Sequence, residues 1–137
     1  MNKSNPEMKP RILIVEDELE SQKYFELILK KKFDIDFCDT KKTMYSFLSN
    51  QNYDVIVMDI SLKDGVNGVD LIKELKRNTT DTNIPIICLS AHAFSEDRLK
   101  AEEAGADIYL TKPIKSQILI NAIDELIAIS LDEKKSA

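Results

Sequence analysis

Short apolar runs alternating with helix-length amphipathic stretches constrain this chain more than any other feature. Ile12-Leu13-Ile14-Val15, Val55-Ile56-Val57-Met58, Ile86-Ile87-Cys88-Leu89 and Ile108-Tyr109-Leu110-Thr111 are rich in β-branched residues. Runs this short, separated by helix-like segments, read as buried strands of a parallel sheet. Each runs into a polar or charged side chain: Glu16-Asp17, Asp59, Ser90 and Lys112-Pro113 in turn. In an open α/β sheet the ligand site lies outside the carboxyl ends of the strands, where the strand order reverses. One sheet edge therefore collects three carboxylates, a hydroxyl and an ammonium.

The pattern along the chain predicts five strand–helix units over 10–131, between a flexible start at 1–9 and a flexible charged tail at 132–137. The first helix, over 19–31, carries Phe25, Ile28 and Leu29 at core-facing spacing. The second strand, over 33–38, alternates Phe33, Ile35 and Phe37 with Asp34, Asp36 and Cys38, the mark of a sheet edge. A helix over 41–49 and a strand over 54–58 follow. Next comes a glycine-punctuated loop from Ser61 to Gly68, then a helix over 69–77 with Leu71, Ile72 and Leu75 inward. The fourth strand, over 84–89, tolerates Pro85 near its start. The fourth helix, over 95–104, opens on a capping Ser95 with Glu96 and Asp97 in its first turn and ends at Gly105. Leu99 is its chief apolar residue, so this helix is the least firmly anchored. A last strand over 107–110 leads to a helix over 116–130, with Leu119, Ala122, Ile123, Leu126 and Ile127 on one face. Strict alternation implies right-handed crossovers and helices on both faces of the sheet. It leaves no room for a second domain.

Composition narrows the function. The length of 137 residues suits one domain with its own core, and the net charge of -5 provides no basic stripe for nucleic acid. Lys30-Lys31-Lys32 closes a predicted helix, where cations are favourable. Cys38 and Cys88 fall inside predicted strands and read as small buried hydrophobes, not as a disulfide or zinc pair. The polar opening MNKSNPEMKP is neither a signal peptide nor an anchor. No run approaches the ~20 apolar residues of a membrane span. A cytoplasmic protein without a membrane partner is expected.

Carboxylates as close as Glu16, Asp17 and Asp59 repel unless a cation, a metal or a raised pKa relieves them. Oxygen-only ligation open to phosphate suits Mg²⁺. Lys112 offers a point charge for a phosphate oxygen, and Ser90 a hydroxyl. A metal, an ammonium and a hydroxyl around a carboxylate are what an incoming phosphoryl group requires, because such transfer is catalysed chiefly by positioning and charge neutralisation. Carboxylates serve as covalent acceptors. Each residue alone has a plain structural explanation; their order at four of five strand ends does not.

These residues resemble the receiver domains of two-component response regulators. The motifs are Ile-Leu-Ile-Val-Glu-Asp-Glu, Val-Ile-Val-Met-Asp-Ile, Ile-Cys-Leu-Ser-Ala-His-Ala and Ala-Gly-Ala-Asp-Ile-Tyr-Leu-Thr-Lys-Pro, spread over nearly the whole chain. The resemblance implies a flavodoxin-like doubly wound fold, with five parallel strands in the order 2-1-3-4-5 and five helices. It implies that Asp59 accepts a phosphoryl group from a histidine kinase or histidine phosphotransferase. Asp17 and Asp59 would ligate Mg²⁺ (or Mn²⁺) directly, Glu16 through water, and Ser61 by its backbone carbonyl. Lys112 would pair with a phosphoryl oxygen. Ser90 would shift to bond another, with Tyr109 turning inward. The Lys112–Pro113 bond is cis in similar proteins. Ser61 and His92 occupy positions resembling those that tune phosphoryl lifetime, although His92 alone reads as an exposed loop residue. Two departures stand out: the loop after Asp59 lacks the common Met-Pro pair and is one residue longer, and Ser90 replaces threonine but keeps the hydroxyl.

The expected function is a single-domain response regulator that signals through its fourth helix, fifth strand and fifth helix to an unnamed downstream protein. It is a phosphoacceptor that assists its own phosphotransfer and dephosphorylation, not an enzyme acting on other substrates. Self-association on phosphorylation is left open. The alternative is a phosphorelay carrier or phosphate sink, such as the receiver module of a hybrid kinase system, which the motif Leu-Ser-Ala-His-Ala also resembles. An aspartyl-phosphate phosphatase would need a second aspartate where Ser61 stands. An FMN carrier would need a phosphate-cradling loop where Glu16-Asp17-Glu18 would repel phosphate.

Overall fold

The computed structural model describes residues 8–60, 67–78 and 83–136. Five strands, β1 (Arg11–Val15), β2 (Asp34–Cys38), β3 (Val55–Asp59), β4 (Ile86–Ser90) and β5 (Ile108–Thr111), alternate with five helices. These are α1 (Leu19–Leu29), α2 (Lys41–Asn50), α3 (Gly68–Asn78), α4 (Ser95–Ala104) and α5 (Ser116–Ser136). All strands pair parallel in the order β2-β1-β3-β4-β5, so the expected doubly wound architecture is present. The chain runs from β1 to one neighbour, then crosses back to place β3 on the other side. That reversal opens a crevice at the carboxyl ends of β1 and β3.

Side-chain alternation along the strands builds two cores. Leu13, Val15, Ile56, Met58, Ile86 and Cys88 face one side and pack with Met44 of α2, Leu71, Ile72 and Leu75 of α3, and Ala101 and Ala104 of α4. Ile12, Ile14, Val55, Val57, Ile87 and Leu89 face the other and pack with Phe25 and Leu29 of α1 and Leu119, Ala122, Ile123 and Leu126 of α5. Every residue of β3 and β4 is buried, as central parallel strands require. β2 lies at the edge and is only partly buried until Cys38. Both cysteines are free and buried, and burial pushes their thiols up to about 12.

The ends of the elements differ from the sequence expectation in instructive ways. β3, β4 and β5 extend one residue further, so Asp59, Ser90 and Thr111 belong to the ladder itself. Ser95 does not cap α4: the N-cap is Phe94, without a side-chain bond. Nor does Leu99 anchor that helix, since it is 55% exposed and the contacts inward are made by Ala101 and Ala104. Small residues there bring α4 close to the sheet, and they offer little apolar area to hold it. Gly105 ends α4 at φ 121°, a backbone setting that suits glycine, and a Cβ there would stand 2.6 Å from Cγ of Lys76. α5 continues to Ser136, past the expected end near Ser130 and through most of the segment expected to be a loose tail. No helix among the described residues is long and apolar enough to cross a membrane.

Candidate functional site

The register decides which side chains meet. Val15 pairs with Met58 across β1 and β3, so the residues that follow, Glu16 and Asp59, emerge side by side at the crevice. Asp59 pairs with Leu89 of β4, which sets Ser90 one residue beyond. Ser90 pairs with Thr111 of β5, and its carbonyl accepts the Lys112 amide at 2.7 Å. The Lys112–Pro113 peptide is cis, as similar proteins led us to expect.

These backbone positions aim a charged cluster at one point. Asp59 is 3% exposed and Glu16 is wholly buried. The Lys112 ammonium donates to Oδ2 of Asp59 at 2.8 Å and lies 3.7 Å from Oε1 of Glu16. Glu16 Oε2 accepts the Glu18 amide at 3.1 Å, but its buried Oε1 has no hydrogen-bond partner. Burial, with the Asp59 charge adding to it, pushes the Glu16 carboxyl up to about 7. Burial pulls the Lys112 ammonium down, but the hydrogen bond and charge of Asp59 and the charge of Glu16 outweigh it and hold the pKa high. One ammonium thus serves two buried carboxylates, a negative imbalance inside a low-dielectric crevice.

Asp17, half-buried, begins the loop between β1 and α1 next to Glu16. Ser61 and the loop after it, through residue 66, lie outside the described residues. Gly68 opens α3 directly over Ile60: a Cβ at Gly68 would run into the Ile60 backbone. Among the described residues no three side chains of the His, Cys, Asp or Glu type stand placed to enclose a metal by themselves. The donors are still the right kind for a hard cation. Mg²⁺ commonly keeps several waters and takes only one or two carboxylates together with phosphate oxygens. The orphaned Glu16 oxygen beside Asp59 fits that demand.

Ser90 connects the crevice to α4. Its Oγ accepts the His92 amide at 2.9 Å, and the Tyr109 hydroxyl donates to the His92 carbonyl at 2.7 Å. Tyr109 is already buried, where the sequence expectation had it turning inward as Ser90 moves. The Arg98 guanidinium of α4 sits 5.7 Å from the centre of its ring, within cation–π range. The His92 side chain is exposed and stacks on Phe94 with ring centres 6.4 Å apart.

Sequence reasoning overlooked two polar residues of α1. Gln22 Nε2 donates to the Glu16 carbonyl at 2.6 Å, and the Tyr24 hydroxyl donates to the Ile114 carbonyl, also at 2.6 Å. Gln22 did leave a signal, being a polar residue one turn before the buried Phe25 on the inward side of the helix.

Comparison with known proteins agrees with this geometry. A family model for the response regulator receiver domain matches residues 12–124. Over 98% of its length the chain is 34% identical to part of the hybrid signal transduction histidine kinase I of Dictyostelium discoideum, where it spans 8% of the relative. It is 35% identical to the probable transcriptional regulatory protein SilR of Salmonella typhimurium, over 85% of this chain and 50% of that one. The chain therefore spans half or less of these curated relatives. The Francisella response regulator 1452 receiver domain superimposes with a TM-score of 0.81 at 27% identity, covering 89% of this chain and 99% of that one.

Proposed function

The chain belongs to the response regulator receiver domain family, and on that premise we propose that Asp59 is its phosphoacceptor. The observation that carries the proposal is the pairing of buried Asp59 with Lys112, 2.8 Å apart, beside a Glu16 oxygen that has no hydrogen-bond partner. A phosphohistidine on a histidine kinase or phosphotransferase is the donor. An Asp59 carboxylate oxygen forms the bond to phosphorus while the phosphorus–nitrogen bond breaks, and the freed imidazole takes up a proton.

Mg²⁺ binding at the acidic pocket is general in the family, and here Glu16, Asp17, Asp59 and the Ser61 carbonyl would hold the ion. When bound, it neutralises charge on the phosphoryl oxygens. The protein's own groups do the rest. Lys112 leaves Asp59 for a phosphoryl oxygen, and the burial of the site strengthens every charge interaction within it. Attack of water on the phosphorus returns the Asp59 carboxylate and releases inorganic phosphate, and Ser61 and His92 stand at sequence positions that resemble those tuning this rate in similar proteins.

Phosphorylation adds roughly one to two negative charges and three acceptor oxygens at the end of β3. Ser90 answers by moving its hydroxyl toward them, which disturbs the His92 amide, the Tyr109 hydroxyl and then Arg98 on α4. The thin alanine seam under α4 makes that helix free to respond, and the α4–β5–α5 face is the surface a downstream protein reads. The test is incubation with acetyl phosphate and Mg²⁺ followed by intact mass. A phosphoryl adduct on the wild type and none on Asp59→Asn is expected; an equal adduct on both would overturn the assignment.

A relay role is the second reading, and what favours it is the 98% coverage of this chain by the hybrid kinase match. In a relay the group passes from Asp59 to a further histidine protein. Timed transfer from the labelled chain to such proteins distinguishes the two.

A further inference from the structure

We infer that α1 is a positioning element for the phosphoacceptor site, with the Tyr24 hydroxyl setting the loop that carries Lys112 and the Gln22 amide setting the loop that carries Glu16 and Asp17. The inference rests on the proposed role of Asp59 and deepens it. Its starting point is the pair of 2.6 Å hydrogen bonds to the Ile114 and Glu16 carbonyls.

Lys112 and Glu16 sit on different loops, one after β5 and one after β1, and the cluster works only if the loops keep their separation. Both loops are tied to the same rigid body. α1 is fixed to the sheet by Phe25 and Leu29, which are buried in its core. Gln22 and Tyr24 are two positions apart, about 200° around the helix, so each reaches a different loop. Tyr24 is 42% exposed, yet its hydroxyl turns back to a carbonyl 90 residues away. That carbonyl belongs to Ile114, whose side chain is buried against α1 and α5 two residues after Lys112. Gln22 acts nearer home, holding the backbone carbonyl of the residue whose carboxylate faces Lys112. Neither side chain touches the reacting atoms. They act through the loops, where a displacement of about 1 Å can lower a rate up to ~100-fold.

A merely structural role would weaken everything together. A positioning role separates two readouts, because Tyr24 governs the ammonium side and Gln22 the acid side. The experiment uses the full chain and two changes of similar shape: Tyr24→Phe removes the hydroxyl, and Gln22→Met removes the side-chain amide. Labelling by acetyl phosphate is followed by intact mass at saturating MgCl₂, and Mg²⁺ affinity is measured by calorimetry without the phosphate donor. Tyr24→Phe is expected to slow labelling about threefold or more while Mg²⁺ affinity stays within about twofold of wild type. Gln22→Met is expected to weaken Mg²⁺ binding about threefold or more while labelling at saturating MgCl₂ stays within about twofold. Unchanged labelling in Tyr24→Phe, or rate and affinity falling by one common factor in both variants along with the melting temperature, would overturn the inference alone. No adduct on the wild type would overturn the acceptor assignment, and the inference with it.

Discussion

Lys112 donates to Asp59 over 2.8 Å, across 53 residues of sequence and from the loop after β5, a strand that does not pair with β3. Ser90, the last residue of β4, pairs with Thr111, so Lys112 starts just past the end of β4 and its long stem reaches across that end to Asp59. It is also the interaction whose loss leaves most behind, since Asp59 and Glu16 both stay buried without a cation.

Lys112→Ala should therefore lower both activity and stability. Labelling by acetyl phosphate is expected to fall at least about tenfold, because in the proposed reaction the ammonium meets charge that develops on the phosphoryl oxygens. Stranding two carboxylates is expected to cost about 2 kcal/mol of folding free energy, measured by urea denaturation at pH 8 in EDTA. A variant as stable as the wild type would show that the carboxylates find another partner.

The Glu16 carboxyl ties stability to pH. Its pKa rises from 4.5 to about 7 on folding, so the folded state holds a proton that the unfolded chain has released across that interval. The contribution is fully present below pH 4.5 and is lost as pH rises through about 7. At 1.36 kcal/mol per unit the whole effect is on the order of 3 kcal/mol. In EDTA, Glu16→Gln should be about as stable as the wild type near pH 4.5 and more stable above pH 7. A stability difference that stays flat with pH would show that Glu16 titrates normally.

Magnesium should stabilise the wild type, and most strongly above pH 7, where the ion need not displace a proton from Glu16. At a free concentration about 100 times its dissociation constant, a ligand that binds only the folded state adds about 3 kcal/mol. Thermal melts with and without MgCl₂ measure it. Asp59→Asn and Glu16→Gln should lose most of the gain, and equal gains in all three proteins would place the ion elsewhere.

Gly68→Ala tests the close approach of α3 to Ile60, the residue after the proposed acceptor. The added methyl meets Ile60 backbone, which cannot swing aside as a side chain could. A cost of about 1–3 kcal/mol is expected, with slower labelling because Ile60 adjoins Asp59. Circular dichroism melts and adduct kinetics read the two effects, and an unperturbed variant would show that α3 tilts freely.

Much of this arrangement was legible in the residues themselves. Apolar runs located four strands, alternation in 33–38 identified the sheet edge, and polar residues at the strand ends announced where chemistry would gather. What escaped were contacts that depend on depth. The scarcity of large apolar residues in α4 was legible, but not that Leu99, the chief of them, turns out to solvent while Ala101 and Ala104 face the core. Ser95 has the chemistry of a cap, yet the chain turns one residue earlier. The hydroxyl of Tyr24 bonds a carbonyl that only the folded chain brings near, so no local pattern could pair them. Asp59 and Ser90 were placed just past their strands; pairing continues through them and fixes their direction more firmly.

Tyr109 is buried beneath Arg98 of α4, with its hydroxyl on the His92 carbonyl. In the proposed switch, a movement of Ser90 is therefore handed to α4 through a side chain already packed against it. Under that reading the gain of the signal is limited by how much more the modified aspartate favours one arrangement of this relay than the other.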